Sequence, residues 1–351
     1  MGRKFHQPRR GSLAFRPRAR KKTREPRIRN WPEWNEEPRL LGFAGYKVGM
    51  GDCTIPETRE GSPFYGTEIQ TPFTIVETPP LFVAAVRIYE EEHGALNCIG
   101  EVWTTKLPKY LNRVFTPPSD ETLKEWEDIE KRVNELKEKL DPNKKNVVRV
   151  IAVTQPHLIK LKKKPDVFEI QVGGEFDKAL EYAISKLGQT IRINEVFEVG
   201  ECVDVFGITK GKGFAGVVKR FGVKRKSHKS RKTVREVGSI GPIKPAHVMS
   251  TIPRAGQLGV HQRMVYSRVI HISLEDAKDP ISAFIREAAE KGGIKHYGIL
   301  RSDFLMLKGS IPGPSRSLVK LRKSIRKLHL PRMPIKITAI SFNNKYTMVE
   351  S

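Results

Sequence analysis

The sequence predicts a β-rich (α+β) chain: an all-β body interrupted by an α/β insertion near residues 93–189, with long basic segments outside any regular element. Three observations point there. Short apolar and β-branched runs occur on both sides of the insertion, helical periodicity is confined to three segments, and basic stretches rich in proline or glycine separate the two patterns.

Taken in order, residues 1–40 carry Pro8, Pro17, Pro26, Pro32 and Pro38 among lysines and arginines. No long helix survives that spacing, so an extended arm is expected, ordered only against something that neutralises it. From Leu41 to Met50 the chain turns apolar and glycine-rich, as a strand does when it enters a core with close backbone approaches. Phe73–Glu77 and Leu81–Tyr89 read as further strands. The clearest helix opens at Ser119, a good N-cap followed by Asp120 and Glu121. Leu123, Trp126, Ile129, Val133, Leu136 and Leu140 then recur at three and four, and Asp141-Pro142 stops it. Val147–Val153 is a strand, Phe176–Leu187 a helix ended by Gly188, and Cys202–Ile208 a strand. Arg268–Ile272 returns to strand pattern, Pro280–Lys291 is a short helix stopped by Gly292-Gly293, and Leu300–Leu307 and Ile335–Phe342 are the last strands. No internal repeat has a fixed period.

Composition excludes several classes. With 351 residues, 38% hydrophobic and 29% charged, the chain is neither a disordered polyelectrolyte nor a membrane protein. Its longest apolar run, Leu81–Val86, is far short of the roughly 18 residues of a spanning helix. No apolar stretch follows the basic first residues, so no secretory leader is expected. Cys53, Cys98 and Cys202 stand apart with no CxxC, against a disulfide framework or a thiolate zinc site.

The net charge of +25 is concentrated. Residues 1–30 hold twelve Lys+Arg and one acid, and Phe206–Arg235 hold eleven and none. A third window, Lys308–Lys336, has nine basic residues and no acid. Like charge gathered this way repels itself in a compact state, so a polyanionic partner is expected.

Gly211-Lys-Gly213-Phe-Ala-Gly216-Val-Val218 fits both GxGxxG and the kinase pattern GxGxxGxV, directly after a strand. A dinucleotide site needs an apolar helix next and an acid about 20 residues on. Lys219-Arg220-Phe221-Gly222-Val223-Lys224-Arg225-Lys226 offers neither, and neither His-Arg-Asp nor Asp-Phe-Gly occurs. A nucleotide-dependent RNA-modifying enzyme is therefore the weaker reading. Gly213 and Gly216 instead let backbone approach a phosphate chain while interleaved lysines supply counter-charge. There is no HExxH and no Gly-x-Ser-x-Gly, so no metal and no catalytic nucleophile are expected. His228 sits in a Lys/Arg run, where a neutral imidazole can bond phosphate or sugar. Val237–Arg263, with three prolines and four glycines, is read as an irregular loop ordered by a partner. Arg254, Gln257, Gln262 and Arg263 in it are donors suited to RNA backbone and base edges. A DNA-binding protein is a further alternative, but no helix-turn-helix, homeodomain or finger pattern supports it.

Thr209–Arg220, Gly238-Ser-Ile-Gly241 and Arg254–Arg263, with the opening Met1–Ser12 and Gly42–Met50, resemble the universal large-subunit ribosomal protein three family in its archaeal and eukaryotic form. The resemblance covers essentially the whole chain. It implies a translation-factor-like β-barrel with an inserted α/β domain and basic extensions. The partition is then an N-terminal arm over 1–40, a discontinuous body over 41–92 and 190–351 carrying a central extension over 209–267, and an insertion over 93–189. The function implied is that of a structural constituent of the ribosome, cytoplasmic, without catalysis or cofactor. It binds large-subunit ribosomal RNA near the 3′ end early in assembly, and its extension reaches toward the peptidyl transferase centre. Neighbouring ribosomal proteins are further expected partners, and no membrane or small-molecule substrate is.

By this resemblance Lys210, Lys212, Lys219, Arg220, Lys224 and Arg225 line the root of the extension, and Arg254, Gly256, Gln257, His261 and Gln262 lie at or near its tip. Lys244 and Ser250 replace a His and a Trp of the eukaryotic form, and Ala215 stands where Gln is frequent, so no role tied to those side chains carries over. The remaining residues expected to bind RNA come from the charge windows. They are Arg3, Lys4, Arg9, Arg10, Arg16, Arg18, Arg20, Lys21 and Lys22 in the arm, Lys226, Lys229, Arg231 and Lys232 in the second window, and Arg316, Lys320, Arg322 and Lys323 in the third.

Overall fold

The computed structural model describes residues 9–57, 60–116, 128–141, 144–230, 232–277, 279–326 and 336–349. In chain order the strands are β1 (Arg39–Leu40), β2 (Gly42–Pro56), β3 (Glu68–Glu77), β4 (Leu81–Glu92), β5 (Ala95–Trp103), β6 (Lys145–Val153), β7 (Val167–Gly173), β8 (Thr190–Ile191), β9 (Cys202–Ile208), β10 (Phe214–Ala215), β11 (Gly256–Gln257), β12 (Gln262–Ser273), β13 (Phe304–Lys308), β14 (Leu318–Lys323), β15 (Ala339–Phe342) and β16 (Lys345–Met348). The α-helices are α1 (Ile129–Glu138), α2 (Phe176–Ser185), α3 (Val217–Phe221) and α4 (Pro280–Glu290). The chain is β-rich with few helices, as expected. It divides into two compact units: Glu25–Gly207 with Met264 onward, and the described residues up to Arg24 with Ile208–Arg263.

The larger unit holds two antiparallel sheets. In the first, pairing runs β14-β9-β12-β13-β3-β2, and β14 pairs again with β2, so the path returns to its start. β15 and β16 extend it from β2. Phe43, Tyr46, Phe73, Ile75, Phe304, Val319 and Leu321 are fully buried. Glycines let β2 approach its neighbours: a Cβ at Gly42 would lie 2.7 Å from the Leu321 carbonyl oxygen, and one at Gly45 2.7 Å from that of Glu77. Residues 300–303 do not join β13. The Arg301 and Ser302 amides donate to the buried Glu77 carboxylate instead, at 2.6 and 2.9 Å.

The second sheet has the order β1-β7-β6-β4-β5, with β8 paired to β4. α2 buries Ala179, Leu180 and Ala183 as part of the same core, and Gly188 at φ +75° follows its end. β4, expected in the all-β body, pairs with β5, β6 and β8 here. Its unbroken apolar run marks a strand buried on both faces, but carries nothing about which sheet owns it. The start of the long predicted helix, Ser119 with Leu123 and Trp126, lies outside the described residues. From Ile129 the stripe is as expected: Val133 is buried and Leu136 packs against Gly100.

Four strands longer than two residues go unread in the sequence. β7 alternates Phe168, Ile170 and Val172 inward, a clean period of two. β5 and β16 are mostly exposed and lack an apolar signal. β14, Leu-Val-Lys-Leu-Arg-Lys, was taken as basic surface.

β14 corrects the third basic window. Every residue of it is buried, with Lys320, Arg322 and Lys323 at 6%, 4% and 3% exposure. Arg322 Nε donates to Asp204 Oδ2 at 3.2 Å, its Nη2 to the same oxygen, and its Nη1 to the Asn30 carbonyl. Ser324 Oγ donates to Asp204 Oδ1 at 3.1 Å, so both carboxylate oxygens are engaged. Lys323 Nζ meets Glu201 Oε1 at 2.7 Å and lies 4.5 Å from the Trp34 ring, and its burial pulls the ammonium below the ordinary lysine value. Lys320 Nζ sits 4.4 Å over the Phe168 ring. Arg322 and Lys323 belong to the fold, because acids from β9 and its approach reach them. Arg316 alone of the four is exposed, with Nη2 donating to the Tyr297 carbonyl at 2.9 Å.

Removing one partner of a buried pair strands the other. Asp204→Asn should therefore lower unfolding free energy by about 3–5 kcal/mol, read by denaturant titration. Exposed Lys219→Ala should stay within about 0.5 kcal/mol. An Asp204→Asn loss no larger than that of Lys219→Ala would contradict the pairing.

Candidate nucleic-acid interface

The smaller unit gathers the charge. Residues 1–24 and 208–263 contain 24 of the 64 Lys+Arg and one of the 39 acids, Glu236; the remaining 40 basic residues face 38 acids. Glu236 is itself engaged locally, accepting from Thr233 Oγ1 at 2.8 Å. The unit has no internal means of neutralising its cations.

It is held instead by backbone and aromatic contacts. A ladder pairs Thr209–Ala215 with Gly256–His261: Thr209 N to His261 O at 2.9 Å, Lys212 N to Leu258 O at 2.9 Å, Leu258 N to Gly213 O at 2.9 Å, then β10 on β11. Gly259, at φ +79°, crosses so near the Lys210 carbonyl that a Cβ would collide with it. The glycine spacing of the loop held that signal, but sequence reading singled out Gly256 instead. Against this ladder lies the arm: Lys21 N donates to Val260 O at 2.9 Å, and His261 Nδ1 bonds the Ala19 carbonyl at 3.0 Å.

Arg220 is the clamp. Its Nε donates to Gln257 O at 2.9 Å, Nη1 to Arg254 O at 2.9 Å and Nη2 to Arg18 O at 3.3 Å, tying α3, the ladder and the arm together. The Phe221 ring takes the Arg18 guanidinium at 4.5 Å and that of Arg220 at 5.2 Å, and Arg263 lies 4.2 Å over Phe15. Carbonyls and rings satisfy these guanidiniums without cancelling their charge. The electrostatics record this. Burial first, then Arg220, Arg16, Arg263 and Arg9, lowers the pKa of Arg18, and burial followed by Arg16 lowers that of Arg220. His261, 8% exposed, is pushed below the ordinary histidine range mainly by burial, with Arg263, Arg220 and Arg18 adding to it.

Between arm and ladder opens a cavity of about 450 Å³, lined by Ala14–Thr23 with His261, Gln262 and Arg263. Arg16, Arg18, Arg20, Lys21 and Lys22 are brought together there; Arg9 is tied back to the Gly11 carbonyl at 2.6 Å. Arg10, Lys210, Lys212, Lys219, Lys224, Arg225, His228, Lys229, Lys232 and Arg254 are exposed, and Lys226 is half-buried with its amide on the Val234 carbonyl. Arg3, Lys4 and Arg231 lie outside the described residues. Arg220, His261 and Arg263 do structural work that their type did not advertise, and Phe15 and Phe221, which hold the guanidiniums, went unnoticed.

The extension is less irregular than expected: β11 and the start of β12 fall within Val237–Arg263, while the described residues of 223–255 form no helix or strand. A cluster of His, Cys, Asp or Glu able to hold a metal does not occur among the described residues. The Gly211–Gly216 motif leads into α3, five residues closed by Gly222 at φ +67°. That helix is too short for the dinucleotide-binding arrangement.

A cationic unit with a single acid, on a backbone of exposed glycines and lysines, has the chemistry of a phosphate-chain surface. The family described as Ribosomal protein L3 matches residues 1–343. The large ribosomal subunit protein uL3 of Archaeoglobus fulgidus is 44% identical over 328 residues, covering 92% of this chain and 93% of that protein. That of Methanocaldococcus jannaschii is 44% identical over 354 residues, covering 98% and 99%, and that of Methanothermobacter thermautotrophicus 42% over 327 residues, covering 92% and 93%. A match running from the first residue of the arm through β15, at this identity and coverage, means that the chain belongs to the Ribosomal protein L3 family.

Proposed function

We propose that this chain is a structural constituent of the large ribosomal subunit that binds large-subunit ribosomal RNA near its 3′ end, acts early in assembly, and sends its central extension toward the peptidyl transferase centre. The family consists of structural proteins rather than enzymes. The observation that carries the reading is the charge division: 24 basic residues against one acid in residues 1–24 and 208–263, near balance elsewhere. RNA enters as the missing counter-charge. Exposed Lys210, Lys212, Lys219, Lys224, Arg225 and Arg254 meet phosphates, and the cavity beside Arg16 and Arg20 admits backbone. Neighbouring ribosomal proteins complete the surroundings, in the cytoplasm.

The closed path of pairings through β2, β3, β13, β12, β9 and β14 supports a translation-factor-like β-barrel as the body, and the second sheet with α2 supports an inserted α/β domain. We take the body as 41–92 and 190–351, the extension as 209–267 and the insertion as 93–189; the pairing of β4 favours moving the insertion's start toward Leu81.

Each neutralised phosphate releases counterion, so about ten contacts give a slope of log affinity against log salt of roughly −7 to −9. Filter binding of the full chain to a large-subunit RNA transcript across a salt series measures it. A slope shallower than about −2 would remove the case for many phosphate contacts. Gly216, at φ −69° with no heavy atom within 4 Å of a Cβ, is open for a second test. Gly216→Val should leave the thermal midpoint within about 2 °C while weakening RNA binding at fixed salt, since the added methyls stand only in the way of a close ligand. A large drop in midpoint would assign this glycine to the fold.

A further inference from the structure

Phe214 has no role in the fold as described. Its side chain is 81% exposed, while its neighbours Ala215 and Val217 are buried at 5% and 8%. Strand alternation explains the direction: on β10 one side chain turns in and the next turns out. The position is nevertheless fixed. Phe214 is in register with Gln257 and Ala215 with Gly256, the Gly213 carbonyl accepts from Leu258 N, and Arg220 clamps the Gln257 carbonyl from the next element. A large apolar ring is thus held out on a pinned backbone. Space around it is open, since a Cβ on Gly213 or on Gly216 would meet no heavy atom within 4 Å. Exposed Lys210, Lys212 and Lys219 flank it in sequence, and no acid occurs between Phe206 and Arg235.

The occupant must suit both the ring and the lysines. A protein surface suits the ring, but interface cores exclude lysine, and three ammoniums would be desolvated without counter-charge. An unpaired nucleobase brings both complements: a π-face for the ring and, on either side, phosphates for the ammoniums. We propose that Phe214 is a stacking platform for an unpaired base of large-subunit ribosomal RNA, with Lys210, Lys212 and Lys219 holding the flanking phosphates. This rests on the RNA-binding reading above and adds to it a contact that is not ionic.

That difference makes the test. Full-length protein is titrated with a transcript of the 3′ half of large-subunit RNA over a salt series, comparing Phe214→Leu, Phe214→Tyr and Lys219→Ala. Phe214→Leu keeps apolar bulk and loses the π-face, so affinity should fall about tenfold with the salt slope unchanged. Phe214→Tyr keeps the ring and should bind like the parent. Lys219→Ala should make the slope shallower by about one. Irradiation at 254 nm should cross-link the peptide containing Phe214 to RNA. Equal thermal unfolding of all variants, expected for exposed side chains, ties any loss to the contact. If Phe214→Leu binds like the parent while Lys219→Ala weakens, stacking is overturned and RNA binding stands. If the parent itself shows no salt-dependent affinity, both fall.

Discussion

A buried positive charge without a counter-charge is among the costliest features a fold can carry, and a crowd of them on a surface repels itself. In this chain the supply of acids decides what each cation does. Around β14 the acids are present: Asp204 and Glu201 reach Arg322 and Lys323, which can then be nearly fully buried in a sheet. In residues 1–24 and 208–263 a single acid, Glu236, stands among 24 basic residues, and the cations stay at the surface or lean on groups that bond them without neutralising them.

That second solution shapes the smaller unit. Arg220 spends all three of its nitrogens on backbone carbonyls, and Phe221 and Phe15 accept guanidiniums on their faces. These contacts fix geometry, so arm and extension order each other, yet the field of the unit remains that of its uncancelled charge. Burial first, and neighbouring guanidiniums second, hold the pKa of Arg18 and of Arg220 below the ordinary arginine value. On the proposed function, an RNA that enters this unit contributes the counter-charge the sequence omits.

Much of this was legible in the sequence because it is one-dimensional. Charge windows, proline spacing in the arm, the helix with Gly188 after it and the strand Cys202–Ile208 depend on neighbours along the chain, and the structure has them where they were expected. What failed to show depends on distant residues. Lys320, Arg322 and Lys323 look like surface in a run without acids, and only pairing of β14 with β9 brings Asp204 to Arg322 and Glu201 to Lys323. The sheet that owns β4 follows from its partners and not from its own apolar run. His261 and Arg220 lie in the cationic unit, but their bonds to Ala19 and Arg18 join positions more than two hundred residues apart. No spacing rule reaches that far.

Amide hydrogen exchange of the full chain, with and without a large-subunit RNA transcript, tests the division of charge most directly. Protection should rise on RNA across residues 9–24 and 208–263 and stay unchanged through β13 and β14. Gains confined to the larger unit, with the cationic unit indifferent to RNA, would contradict the account.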